Sequence, residues 1–379
     1  MNDASFIPYG QQWIDDQDIQ AVTEVLKGDW LTQGPTVAAF ESAVADYCGV
    51  EFAVAVSSGT AALHAAYVAA GIGPGDEVIM SPLTFSATAS AVVFCGGKPV
   101  FVDINSDTLT IDPARIEQAI TPRTKAIASV DFAGHPCQYN VINEIARRKH
   151  LLVVDDACHA LGSTYQGKRS GSWADLTALS FHPVKHITTG EGGMVLTNNP
   201  LWNERMRNFR HHGIEKKPEM GAWYYEIDAI GNNYRLTDLQ CALGLSQLKK
   251  LPAFIARRRA IVQRYNEAFA TLPGVILPKE LHEVESSYHL YIIQLSGEID
   301  DHRRSAVFAA LRDRGIGAQV HYMPLHLQPY YARALGYHPG DFPLAESYYQ
   351  RAITLPLYPK MTDEQVERVI AVVREVLAP

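Results

Sequence analysis

The segment Phe52-Ala53-Val54-Ala55-Val56-Ser57-Ser58-Gly59-Thr60-Ala61-Ala62-Leu63 joins a short apolar, β-prone run to a turn of small residues and then to the start of a helix. Its first half has the length of a strand rather than a helix, and it lacks the polar alternation of a half-exposed strand, so it reads as buried on both faces. Just before it, Val37, Phe40, Val44 and Tyr47 recur at helical spacing. The alternation continues downstream with a helix from about Thr60, a strand at 77–80, a helix at 86–94, a strand at 99–102, a helix at 113–120, a strand at 125–130, a helix at 141–149 and a strand at 151–154. Strands that alternate with helices in this way predict an α/β fold with a mostly parallel central sheet sandwiched by helices.

Two more β-prone runs follow at 177–181 and 194–197. From about Leu236 a long helical stretch then passes Leu243, Leu248 and Arg257-Arg258-Arg259. Beyond it, strand candidates at 289–295 and 319–321 and helices at 303–314 and 363–377 predict a smaller α+β domain. The expected division is 1–250 for the large domain, with an amino-terminal arm, and 251–379 for the small one.

With Lys+Arg 33 against Asp+Glu 41, the net charge of −8 argues against nucleic acid as a partner. The 379 residues, 47% hydrophobic and 20% charged, suit a folded chain with a large core. No window reaches the roughly 18 apolar residues of a membrane span. The start Met1-Asn2-Asp3-Ala4-Ser5 lacks a leader pattern, so a cytoplasmic protein is expected. Cys48, Cys95, Cys137, Cys158 and Cys241 are scattered and never form a C-x-x-C pair; they read as small core residues, with neither a disulfide framework nor a metal site.

Three segments carry chemistry. The turn Ser57–Leu63 presents free backbone N–H groups at a helix start and so reads as an anion cradle, or as an ordinary turn with a Ser cap. The run Val153-Val154-Asp155-Asp156-Ala157-Cys158-His159 delivers two carboxylates to the end of a buried strand, where one can face a protonated ring nitrogen or simply cap a loop. In Ser180-Phe181-His182-Pro183-Val184-Lys185, ahead of Gly190-Glu191-Gly192-Gly193, a lysine sits between an apolar strand and a Gly-rich turn; desolvated, it can attack a carbonyl, and solvated, it is an ordinary loop lysine. Phosphate cradle, ring-nitrogen carboxylate and carbonyl-capturing lysine together match the needs of pyridoxal phosphate.

These segments, with Leu31-Thr32-Gln33-Gly34-Pro35 and Asn233-Tyr234-Arg235-Leu236, resemble the DegT/DnrJ/EryC1/StrS sugar aminotransferases, fold-type-I enzymes dependent on pyridoxal 5'-phosphate, over nearly the whole chain. The resemblance implies that Lys185 carries the cofactor and moves the proton, and that Asp156 pairs with the ring nitrogen. Gly59, Thr60, Ala61 and Ser180 would bind its phosphate, Phe85 would stack on the ring, and His159 would lie near the ring hydroxyl. Asn233 would reach the phosphate in a neighbouring subunit, which implies a homodimer with shared sites.

Within the family the likeness is greatest to the UDP-4-keto-6-deoxy-sugar aminotransferases of the pseudaminic acid pathway. That implies a UDP-linked keto sugar as acceptor, L-glutamate as donor, and a groove lined by Tyr9, Trp30, Leu31, Thr32, His321 and Tyr322. Without the family match, Tyr9 and Tyr322 read as packing aromatics, Thr32 as a turn residue and His321 as a core histidine. Rival readings are an aminotransferase for a 3-keto or dTDP-linked sugar, a related 3-dehydratase, and a non-catalytic sugar sensor. The dehydratase carries histidine at the lysine position, which Lys185 contradicts, and the joint presence of Asp156, Lys185 and Asn233 argues against the sensor.

Overall fold

The computed structural model describes residues 6–298 and 301–378. The pentapeptide Met1–Ser5, read above for its lack of a leader pattern, lies outside the described residues. Seven strands form the central sheet: β1 (Phe52–Val56), β2 (Glu77–Met80), β3 (Lys98–Phe101), β4 (Thr124–Val130), β5 (Leu152–Asp156), β6 (Leu176–Ser180) and β7 (Gly193–Thr197). Their order is β1-β7-β6-β5-β4-β2-β3. Every pairing among β3, β2, β4, β5 and β6 is parallel, whereas β7 runs antiparallel to both of its neighbours, β1 and β6. Hydrophobic clusters lie on both faces of the sheet, which is why its central strands show no polar alternation.

Capping fixes where the helices start. Ser58 caps Gly59–Ala69 by accepting from the Ala61 N–H at 3.1 Å. Asp112 and Asn199 cap Pro113–Ala119 and Pro200–Phe209, each with proline in the first turn, where a missing N–H does no harm. Reciprocal capping boxes, Thr237 with Gln240 and Thr362 with Gln365, open the helices Asp238–Phe269 and Asp363–Leu377. The long helix packs closely on Pro35–Cys48, because Gly244 leaves room for Phe40: a Cβ there would lie 2.5 Å from the ring. Along this helix the core partners change. Cys241 and Leu251 join the cluster of Phe40 and Phe181, while Ile261, Val262, Tyr265 and Phe269 join that of the C-terminal helices and strands.

The C-terminal part holds a three-stranded sheet of β8 (Val275–Ile276), β9 (Tyr291–Leu295) and β10 (Ala352–Leu355), in that order and antiparallel throughout. The final helix buries Val366, Val369, Ile370, Val373 and Leu377, the one-face spacing expected of it. The strand expected at 319–321 is instead a single bridge: Gln319 and Thr354 exchange N–H···O bonds of 3.1 and 2.7 Å. The neighbouring Gly317 pairs with Ile7, and the His321 ring takes the Thr354 hydroxyl at 2.9 Å, so the chain leaves the sheet after one pair. The arm is stitched to this part of the chain. Ile7 donates to Gly315 O (2.8 Å) and accepts from Gly317 N (2.7 Å), and Leu357 N donates to Tyr9 O (3.1 Å). Gly317 makes this possible, since a Cβ there would lie 2.7 Å from Ile7 O.

On the sheet face away from Asp156, Asp155 and Asp131 are buried together. Tyr139 Oη (2.7 Å), Cys137 N (2.8 Å) and Ser170 Oγ (3.1 Å) donate to Asp131, and Ser129 Oγ bridges to Asp155 at 3.2 Å, leaving Asp155 Oδ2 without a partner. Burial raises Asp131 to about 6 and pushes Asp155 well above the usual carboxylate range, reinforced there by the neighbouring Asp131 charge. At these two carboxylates the folded chain binds more protons than the unfolded one, so their contribution to stability falls as pH rises from about 4, where an unfolded carboxylate titrates, through about 6, where Asp131 does, and on into the higher range of Asp155. Asp155→Asn supplies a neutral isostere of the protonated acid. It should flatten that decline in urea titrations and exceed wild type at pH 7 by about 1–2 kcal/mol. An unchanged slope would remove this pair as the source.

Candidate active site

A cleft of about 380 Å³ opens beyond the carboxyl ends of β4, β5 and β6, where parallel sheets present their ligand-binding edge. Val130, Asp156 and Ser180 are the last residues of those strands and line its floor. Gly59 and Thr60 come from the first turn of Gly59–Ala69, Phe85 caps the helix Ser86–Phe94, and Lys185 lies in the turn after β6. Tyr9 from the arm and His321 and Tyr322 from the C-terminal part complete it.

The helix start is shaped for an anion. Gly59 and Thr60 are the first helical residues, so their N–H groups have no intrahelical acceptor, and the helix dipole adds positive potential. A Cβ on Gly59 would lie 2.9 Å from Ser180 Cβ and 3.3 Å from Cys158 Sγ, so only glycine keeps the Ser180 hydroxyl and these N–H groups together. Asp156 Oδ2 accepts from Thr88 Oγ1 at 2.6 Å, and Oδ1 accepts from Cys158 N at 3.3 Å, which orients the carboxylate in the cleft. Pleating sends its neighbour Asp155 to the opposite face. Loss of water lowers Lys185 below the ordinary ammonium value, against the opposing pull of Cys158 and Asp156. That moves the amine toward its neutral, nucleophilic form.

His159 is buried, and desolvation, followed by the Lys185 charge, drives it well below the usual imidazole range, so it is neutral. Its Nδ1 accepts from Ala133 N at 3.4 Å, and its Nε2 lies 3.4 Å from Tyr322 Oη. Burial lowers His321 to about 4, and its ring sits 5.5 Å from that of Tyr9. Phe85 and Tyr322 approach at 5.9 Å across the mouth.

Tyr9, Gly59, Thr60, Phe85, Asp156, His159, Ser180, Lys185, His321 and Tyr322 therefore share one cleft. Ala61, Trp30, Leu31, Thr32 and Asn233 lie outside its lining. The Ala61 N–H is taken by the Ser58 cap. Thr32 bridges to Thr237, and the loop beside it is held by Asp238, whose carboxylate accepts from Gly34 N (2.8 Å) and Thr36 N (3.0 Å). Trp30 and Leu31 are exposed there. Asn233 is exposed and bridges to His211. Sequence reasoning assigned no role to Thr88, His182 or Glu191. Thr88 lies one turn beyond Phe85 on the same helix face, a usable signal, whereas His182 and Glu191 enter only through the fold of their turns. Cys158, expected in the core, lines the cleft.

N–H groups and a hydroxyl for a phosphate, an oriented carboxylate for a protonated ring nitrogen and a desolvated amine for a carbonyl fit pyridoxal 5'-phosphate. The model of the DegT/DnrJ/EryC1/StrS aminotransferase family matches residues 12–374. The chain is 44% identical over 378 residues to the spore coat polysaccharide biosynthesis protein SpsC of Bacillus subtilis, covering 98% of this chain and 97% of SpsC. It is similar in structure to Helicobacter pylori PseC, an aminotransferase involved in the biosynthesis of pseudoaminic acid. The TM-score is 0.93 at 35% identity, over 98% of this chain and 99% of PseC. The PLP-form of Spr1654 from Streptococcus pneumoniae gives 0.93 at 35% identity, over 98% of each chain. Family and neighbours indicate pyridoxal 5'-phosphate as the cofactor, in a fold-type-I architecture. The chain belongs to the DegT/DnrJ/EryC1/StrS aminotransferase family.

Proposed function

We propose that the protein is a cytoplasmic, homodimeric sugar aminotransferase that moves the amino group of L-glutamate to C4 of a UDP-linked 4-keto-6-deoxy-N-acetylhexosamine. The product is a UDP-4-amino-4,6-dideoxy sugar of the pseudaminic acid type. The observation that carries this reading is the cleft wall of Tyr9, His321 and Tyr322, built by the arm and the C-terminal part, in a chain whose fold follows PseC from end to end. A nucleotide sugar offers remote groups for such a wall to hold, and remote binding orients the reacting carbon.

When bound, pyridoxal 5'-phosphate supplies the electron sink for carbanion chemistry. The residues of this chain do the rest. Gly59, Thr60 and Ser180 would hold the phosphate and Asp156 would keep the ring nitrogen protonated, its carboxylate fixed for that task by Thr88. Phe85 would cover one face of the ring, and His159 would lie near its hydroxyl. Lys185 Nζ, which desolvation moves toward its neutral form, would take the proton from the donor carbon and return it to the acceptor carbon, on one face only.

Among the described residues that line the cleft, Lys185 is the only lysine or arginine, although phosphate, diphosphate and glutamate are all anionic. Exposed apolar side chains, Trp30 (57%), Trp223 (79%) and Ile230 (87%), lie on segments near Thr32 and Asn233 in the sequence. Both facts favour a second copy that covers the apolar surface and brings Asn233 and its neighbouring cations to the partner's cleft, with Trp30, Leu31 and Thr32 at the groove rim.

With the UDP-4-keto sugar and glutamate, product mass and NMR should show a 4-amino sugar; turnover only with 3-keto or dTDP-linked sugars would return the alternative reading. Efficient use of pyruvate with no nucleotide sugar turned over would sink both. Borohydride should tether the cofactor to Lys185, as read by peptide mass spectrometry. The Lys185→Ala chain should stay unmodified and lose roughly 10²–10⁴-fold in turnover; tethering elsewhere would exclude Lys185. Mixing inactive Lys185→Ala with inactive Asn233→Ala should restore activity as subunits exchange, with roughly a quarter of sites intact at equal amounts. Proven heterodimers without activity would place Asn233 outside the partner's site.

A further inference from the structure

The hydrogen bonds behind the cleft have a direction. A backbone N–H can only donate, so the Ala133 N–H at 3.4 Å makes His159 Nδ1 an acceptor. A neutral imidazole then carries its proton on Nε2, which points to Tyr322 Oη at 3.4 Å. The opposite tautomer would set two N–H donors against each other in a buried place. Tyr322 therefore accepts from His159. Its hydroxyl has no other partner among the described residues, so its own proton is directed to the cleft that it lines.

The donor at the head of the chain is held firmly. Ala133 has a left-handed backbone (φ 58°), unusual for a residue with a side chain. Its carbonyl accepts from Leu290 N at 3.3 Å, and the carbonyl of the next residue, Gly134, accepts from Ser163 Oγ (2.7 Å) and Ser286 Oγ (2.9 Å). The His289 ring packs 4.3 Å from that of His159 and closes it off from water.

We propose that this directed chain, Ala133 to His159 to Tyr322, makes Tyr322 a fixed donor that selects a carbonyl oxygen over a hydroxyl at the reacting position. A freely rotating phenol serves both, donating to a ketone or accepting from an alcohol. A phenol held by His159 keeps its own proton aimed at the reacting oxygen: a ketone accepts it at no cost, whereas an alcohol that accepts it has to place its own proton elsewhere in the cleft. The proposal rests on the keto-sugar reading above and adds how the ketone is recognised among the sugar's many hydroxyls.

The test uses the cofactor-loaded enzyme without amino donor, so that binding occurs without turnover. Calorimetry compares the UDP-4-keto-6-deoxy-N-acetylhexosamine with its borohydride-reduced 4-hydroxy form. Wild type should favour the ketone by at least about fivefold. Tyr322→Phe should bring that ratio to about twofold or less, by weakening the ketone. His159→Leu should bring it down by a different route, by tightening the alcohol, because the freed phenol can turn. His159→Gln offers an acceptor to Ala133 and a donor to Tyr322 and should keep the wild-type ratio. Histidine ¹⁵N NMR should show His159 protonated at Nε2. An unchanged ratio in Tyr322→Phe, or a proton on Nδ1, overturns the proposal alone. Wild-type protein that binds neither sugar overturns the substrate reading, and the proposal falls with it.

Discussion

The pleat of one strand governs this molecule. In β5 the backbone alternates faces, so two adjacent carboxylates part company: Asp156 enters the cleft and Asp155 enters the core with Asp131. A register slip of one residue would exchange them, sending Asp155 into the cleft and Asp156 into the core. Neighbours on both sides hold the register, since β5 pairs in parallel with β4 and with β6, whose last residues, Val130 and Ser180, also line the cleft. The site is thus fixed by rigid sheet rather than by loops.

Around that edge each class of chemistry sits on the element suited to it. Anion binding falls to a helix start, where N–H groups point outward, and glycine lets the serine of β6 close the same cradle. The amine sits in a turn, where desolvation moves it toward its neutral form. The opposite wall is built from aromatic and imidazole groups of two distant stretches, Tyr9 and His321-Tyr322, which can diverge without disturbing the cradle.

Much of this was legible in the sequence because it is local. Buried runs, caps and the Gly59, Asp156 and Lys185 segments each carry their signal within a few residues, and the span of the last helix follows from its apolar spacing alone. Strand direction does not show in that way. The run Gly193–Thr197 has the same pattern whichever way it runs, so its antiparallel place between β1 and β6 depends on connections that local periodicity does not encode. The residues around 319–321 had the composition of a strand and formed one bridge, because Gly317 and His321 were committed to the arm and to Thr354. Cys158 looks like any small buried residue until the backbone curls over Asp156. Ala133 gives no sign of a left-handed backbone, which depends on Leu290 and on serines far along the chain.

The arm shows how the two ends of the chain depend on each other. Tyr9 reaches the cleft only because Ile7 is bonded across to Gly315 and Gly317, and because Leu357 closes on Tyr9 itself. Among the described residues the arm therefore finds its backbone partners only in the C-terminal part. Contacts of such long sequence separation carry a larger loop-closure cost than the local turns around the cradle. Loss of the segments that carry Gly315, Gly317 and Leu357 would release Tyr9, a cleft residue far from them in sequence.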